Sequence, residues 1–171
     1  MKKKYLGIVL TAALSLPSLG LAEGMYGGLQ YGTLTSEDAD MGNLGISIGS
    51  SINDFFSIEG SYTFTVNEED LGNNVTLSAD SIGLFAVVKS EGDFYGKAKV
   101  GLAKVDFEME SGGNSLSDDA NGLALGLAVG VKAGQGAVEV EYTKLPDLDD
   151  FSGVPVDASN DYLSVGFVFN F

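Results

Sequence analysis

From Met25 to Phe171 apolar residues recur at alternate positions. Leu44, Ile46 and Ile48 alternate with Gly45, Ser47 and Gly49. Ile58, Tyr62, Phe64 and Val66 share one face, and Ser57, Glu59, Ser61, Thr63 and Thr65 the other. Leu123, Leu125, Leu127, Val129 and Val131 are separated by Ala124, Gly126, Ala128 and Gly130, and Val138, Val140 and Tyr142 by Glu139 and Glu141. A period of two places successive side chains on opposite faces of an extended strand. The pattern predicts eight strands, near 25–34, 42–52, 55–66, 77–89, 94–106, 121–133, 137–145 and 160–171. Three connections are tight, at Asn53-Asp54, Ser90 to Asp93 and Gly134-Gln135-Gly136, with the Gly, Asn and Asp chemistry of hairpin turns. The other four, about 35–41, 67–76, 107–120 and 146–159, are longer.

Alternation fits two architectures. In a soluble sandwich or lipocalin-like barrel the apolar face points inward. In a membrane barrel it points to lipid, and the opposite face fills a narrow lumen. Here that opposite face is largely Gly, Ala and Ser, which suits a cramped eight-strand interior better than a solvated surface. The segments match the roughly 9–11 residues that cross a bilayer obliquely and exceed the ~5–6 usual for soluble strands. Short turns on one rim and long loops on the other complete the pattern. Aromatic residues divide between the rims. Tyr26, Phe55, Phe56, Phe94, Tyr95, Phe169 and Phe171 lie toward the short turns, and Tyr31, Tyr62, Phe64, Phe107 and Tyr142 toward the long loops. This predicts two interfacial girdles.

The first 22 residues read as an address. Lys2, Lys3 and Lys4 precede an apolar stretch from Tyr5 to Leu16; Pro17 and Gly20 follow, then Ala22. This is the layout of a secretory signal peptide cut after Ala22, too short in its apolar part for a membrane helix of ~20 residues. The expected barrel domain is 23–171.

Composition narrows the chemistry. The 171 residues include no Cys and no His, and their nine basic residues are all lysine against 24 acids, a net charge of −15. Removal of the leader would take this to −18. An imidazole base, a thiolate nucleophile and a disulfide are excluded, and so is a Ser–His–Asp arrangement. No catalytic residue, metal site or cofactor is predicted. The charge also argues against nucleic acid as a partner.

The carboxyl end is the most specific feature. Leu163, Val165, Phe167, Phe169 and Phe171 alternate up to a terminal aromatic residue. This resembles the C-terminal signal that the barrel assembly machinery recognises in bacterial outer-membrane proteins. With the strand pattern, the chain resembles the small eight-stranded bacterial outer-membrane β-barrel family, similar to the transmembrane domain of outer membrane protein A and to the X-type barrels. The resemblance implies an all-β fold, an eight-stranded antiparallel transmembrane β-barrel after a cleaved signal peptide. It implies the cell outer membrane as location, with outer-membrane lipids and lipopolysaccharide as surroundings.

Parity directs Glu59, Glu139 and Glu141 into the lumen together with Lys89, Lys97, Lys99 and Lys132. Unpaired charge is costly in such an interior. Glu59, Lys97, Lys99, Glu139 and Glu141 are therefore expected to form a salt-bridge network that plugs the barrel. The competing reading is an ion pathway, kept open by the many small inward residues. Seventeen of the 24 acids fall in the spans 35–41, 67–80, 106–119 and 145–161, which hold no lysine. This predicts a uniformly negative rim. Solvated loops are the plainer reading, and divalent cations bridging the rim to lipopolysaccharide phosphates the functional one. Phe151, Val154, Pro155 and Val156 form one apolar patch for a partner. The expected function is a non-enzymatic structural or surface-interaction role. A narrow, cation-preferring channel and a soluble periplasmic lipocalin-like binder are the alternatives.

Overall fold

The computed structural model describes residues 24–36, 39–72, 75–151 and 154–170. Its elements are β1 (Met25–Ser36), β2 (Ala39–Ser51), β3 (Phe56–Asn67), β4 (Glu69–Gly72), β5 (Val75–Lys89), β6 (Phe94–Ser111), β7 (Asn114–Ala133), β8 (Gly136–Phe151) and β9 (Val154–Asn170). All pairings are antiparallel, and all join neighbours in sequence except β1 with β9 and β3 with β5. Strand β1 pairs with β9, from Tyr26 opposite Asn170 to Ser36 opposite Asn160, and β3 pairs with β5. Eight strands therefore close on themselves, and β4 is a short outgrowth. Closure satisfies every wall strand on both sides, which an apolar surround demands.

The apolar face looks outward. Leu84, Leu102, Leu123, Leu125, Leu127, Val129, Leu163 and Val165 are all exposed, while Ala124, Ala128 and Ser164 are buried. Along β6 the apolar outward positions run from Phe94 to Leu102 and give way to Lys104. That is about nine residues, the reach of a tilted strand across a bilayer. A soluble lipocalin-like barrel would bury this face, so that alternative is excluded. Phe55, Phe56, Phe94 and Phe169 are exposed at the short-turn end, and Tyr31 and Tyr142 at the other. Tyr26, Tyr95 and Phe107 do not join these girdles: they are buried inside the barrel. Their parity with Gly28, Lys97 and Val105 turns them inward, and parity outranks closeness to a rim.

The longer connections also differ from expectation. Strands β6 and β7 stay paired from Phe94 opposite Val131 to Ser111 opposite Asn114. The turn between them is Gly112-Gly113, both with positive φ (55° and 89°), the two-residue geometry that continues a twisted hairpin. Strands β8 and β9 continue to Phe151 opposite Val154, and β1 and β2 to Ser36 opposite Ala39. Three of the four expected loops are thus mostly protruding ladder, with register shifts between Leu145 and Asp150 in the last, because strand pairing satisfies the backbone beyond the membrane as well as within it.

Candidate functional site

The lumen has two layers. The lower one, toward the short turns, is polar. Strand β6 points Tyr95, Lys97 and Lys99 inward, β8 points Glu139 and Glu141, and β3 points Glu59; all six are buried. Strand β7 lies between β6 and β8, and its inward residues there are Gly126, Ala128 and Gly130. These small residues let β6 side chains cross to β8. A Cβ added at Gly126 would strike the Lys99 side chain, and one at Gly130 would strike the Tyr95 ring.

The crossing brings opposite charges together. Lys97 Nζ lies 2.7 Å from Glu139, 3.3 Å from Glu141 and 3.4 Å from Glu59. Lys99 Nζ lies 2.6 Å from Glu141 and 3.7 Å from Glu59. Two tyrosines complete the shell. Tyr95 donates its hydroxyl to Glu139 at 2.6 Å, and Tyr26 donates to Glu59 at 3.0 Å. The two make the same move: Tyr95 spans from β6 over Gly130 to β8, and Tyr26 spans from β1 over Gly49 to β3. Thr143 donates to Glu141 at 3.2 Å, and the Lys99 ammonium sits 4.4 Å from the Phe85 ring centroid. Charge-assisted bonds and full satisfaction make burial of five charges tolerable. Tyr26, Tyr95 and Phe85 are absent from the sequence-based site; the parity rule that selected the charges would also have found them.

The upper layer is apolar. Leu34, Met41, Ala79, Val105, Phe107, Leu145 and Leu148 pack together beneath the protruding hairpins. Its buried amides bond to backbone: Asn43 Nδ2 donates to Ala79 O at 2.7 Å and Asn160 Nδ2 to Pro146 O at 2.6 Å. Beside Glu59, Lys97, Glu139 and Glu141 a space of about 10 Å³ remains, close to the least that holds one water. Below them a vestibule of about 860 Å³ opens at the short-turn end. The small inward residues thus accommodate large neighbouring side chains, where the competing ion-pathway reading had them keep a bore open. Lys89 and Lys132 line the vestibule and lie outside the ion-pair cluster.

At the other rim the negative charge is not uniform. Lys104 pairs with Asp106 and Asp119, and Lys144 lies 3.4 Å from Asp147. The hydrogen bond to Asp106, with the nearby charges of Asp106 and Asp119, holds the Lys104 ammonium above the ordinary lysine range. Both lysines sit at the foot of the acidic spans; Asp106 and Asp147 are their neighbours in sequence, and the β6–β7 register adds Asp119 to Lys104. No group of three acids is gathered for a metal ion among the described residues. Leu163, Val165 and Phe169 face outward and Phe167 is half-buried, its ring centroid 4.6 Å from that of Phe169. Phe171, Glu37, Asp38, residues 1–22 and the side chains of Phe151, Val154, Pro155 and Val156 lie outside the described residues.

Solved structures share this architecture. Neisserial surface protein A is 18% identical, with a TM-score of 0.69, covering 87% of this chain and 98% of its own. The N-terminal β-barrel domain of Pseudomonas aeruginosa OprF is 14% identical, with a TM-score of 0.63 over 88% and 100%. Ail, the attachment invasion locus protein of Yersinia pestis, crystallised with the heparin analogue sucrose octasulfate, is 14% identical, with a TM-score of 0.58 over 88% and 100%. At such identities the likeness is one of fold. No curated protein matches the sequence. The model of the outer membrane protein beta-barrel domain matches residues 6–171. With lipid-facing strands closed around a filled lumen, the chain belongs to that family and resides in the bacterial outer membrane.

Proposed function

We propose that this protein is a closed, non-enzymatic barrel whose protruding hairpins carry a surface-interaction role. The observation that carries this reading is the buried network of Lys97 and Lys99 with Glu59, Glu139 and Glu141, sealed by Tyr26 and Tyr95. An ion entering it would have to break several charge-assisted bonds at once and then cross the apolar layer above. The sequence offers no histidine for the acid–base chemistry of an outer-membrane hydrolase.

What remains to act on the outside world is the set of hairpins. A relative named for attachment was crystallised with a polyanion. The acidic spans here favour neutral or cationic surfaces instead, since like charges repel. On this reading residues 1–22 are a cleaved signal peptide. The barrel assembly machinery reads the strand that carries Leu163, Val165, Phe167, Phe169 and Phe171. Outer-membrane lipids and lipopolysaccharide surround the apolar belt, with divalent cations as counter-ions where the acidic rim meets lipopolysaccharide phosphates.

The test is conductance in a planar bilayer. The purified barrel should give no discrete steps, and Lys97→Ala/Lys99→Ala should give steps or leak. Discrete, cation-selective steps from the unaltered protein would replace this reading with the narrow channel.

A further inference from the structure

The vestibule is unused by the plug. At about 860 Å³ it lies within the 300–1,000 Å³ range of small-molecule sites. It opens at the end of the short turns, which face the periplasm in barrels of this kind. We propose that it binds a sugar-sized periplasmic solute carrying a carboxylate or phosphate.

The donors favour an anion. Lys89 and Lys132 line the cavity, and neither makes an ion pair among the described residues. Lys89 Nζ rests 3.9 Å from the centroid of the Tyr95 ring, a face contact that leaves the ammonium's hydrogens available. The carboxylate of the floor, Glu139, is already taken by Lys97 and Tyr95. Asn53 also lines the cavity. Its Oδ1 accepts from the amides of Phe55 and Phe56, at 2.9 Å each, so its free amide group is a donor. The remaining acids of the lining, Asp54 and Glu91, are exposed on turns and, among the described residues, make no ion pair with the lining lysines. Lys89 is the half-buried cation of this lining, and Asn53, Lys132, Asp54 and Glu91 are exposed around it. Two lining ammoniums without an ion pair attract an oxyanion, and a cavity far larger than phosphate leaves room for a hydroxyl-rich body.

Isothermal titration of the full folded protein in detergent tests this, with glucuronate, glucose 6-phosphate and glucose as probes. One or both anions should bind at millimolar concentration or below, and glucose far more weakly. The stronger anion identifies carboxylate or phosphate as the preferred group. Lys89→Gln/Lys132→Gln should weaken anion binding about tenfold or more, the scale of one lost charge-assisted bond. Asp54→Asn/Glu91→Gln should strengthen it, a direction that a folding defect would not produce. A boiling-dependent gel shift checks that each variant is folded. Equal binding of glucose, no anion binding, or binding indifferent to the lysine replacements would overturn the proposal.

Discussion

The two layers of the lumen solve one problem by opposite chemistry. Both fill a bore that eight strands leave just wide enough for side chains. The upper layer uses Leu34, Met41, Val105, Phe107 and Leu145, and its cohesion is contact and exclusion of water. The lower layer uses five buried charges and two tyrosine hydroxyls. Apolar filling tolerates a lost methyl by local collapse. A charge network does not, since removing either lysine leaves carboxylates buried and uncompensated. The lower layer is therefore the more specific and the more fragile.

Breaking the lower layer should have the largest effect. Lys97→Met leaves three carboxylates around one remaining lysine and should cost about 3–5 kcal/mol, read from urea unfolding in phospholipid vesicles. A smaller cost than that of an upper-layer truncation would contradict the ranking. Converting the lower layer to the chemistry of the upper one sharpens the contrast. Replacing Lys97, Lys99, Glu59, Glu139 and Glu141 together by Met and Leu should recover most of the loss, because a whole buried network exchanges for apolar packing at little net cost. If the fivefold variant were less stable than Lys97→Met alone, the charges would be supplying net stability.

In the upper layer Leu34→Ala should cost about 2–5 kcal/mol through the cavity it leaves, with no change in salt dependence. Next comes Gly130→Ala, which sets a methyl against the Tyr95 ring and should cost about 1–3 kcal/mol by overpacking. Pairing it with Tyr95→Phe would not relieve the clash, whereas Tyr95→Ala would, and unfolding of the double variants distinguishes them. Smallest is the exposed pair at the rim. Lys144→Ala should change stability by no more than about 0.2–1 kcal/mol, and raised salt should erase the difference.

Much of this was legible along the chain. Period two assigned Leu125 to lipid and Ala124 to the lumen, and it sent Glu59, Lys97, Lys99, Glu139 and Glu141 to one side. The same parity marks Tyr26 and Tyr95 as inward; rim position misled because an aromatic near an interface fits a girdle equally well. Gly112-Gly113 is a two-residue hairpin signal inside a polar stretch, where the lack of alternation hid the strands on either side. Lys104 and Lys144 stand two and three residues from Asp106 and Asp147, so those pairs were legible; only the approach of Lys104 to Asp119 needed the register.

The sequence by itself determined which side chains face lipid and which face inward, because alternation is a local property of an extended backbone. It also set the chain's acidity and the chemistry that His and Cys cannot supply. Only the tertiary structure decided that Lys97 reaches Glu139 across Gly130 and Ala128, that Tyr26 and Tyr95 donate to the acids of the cluster, and that the cluster stands above an open vestibule. Those contacts join residues dozens of positions apart. Shear and register, which no single strand encodes, bring them to the same height in the barrel.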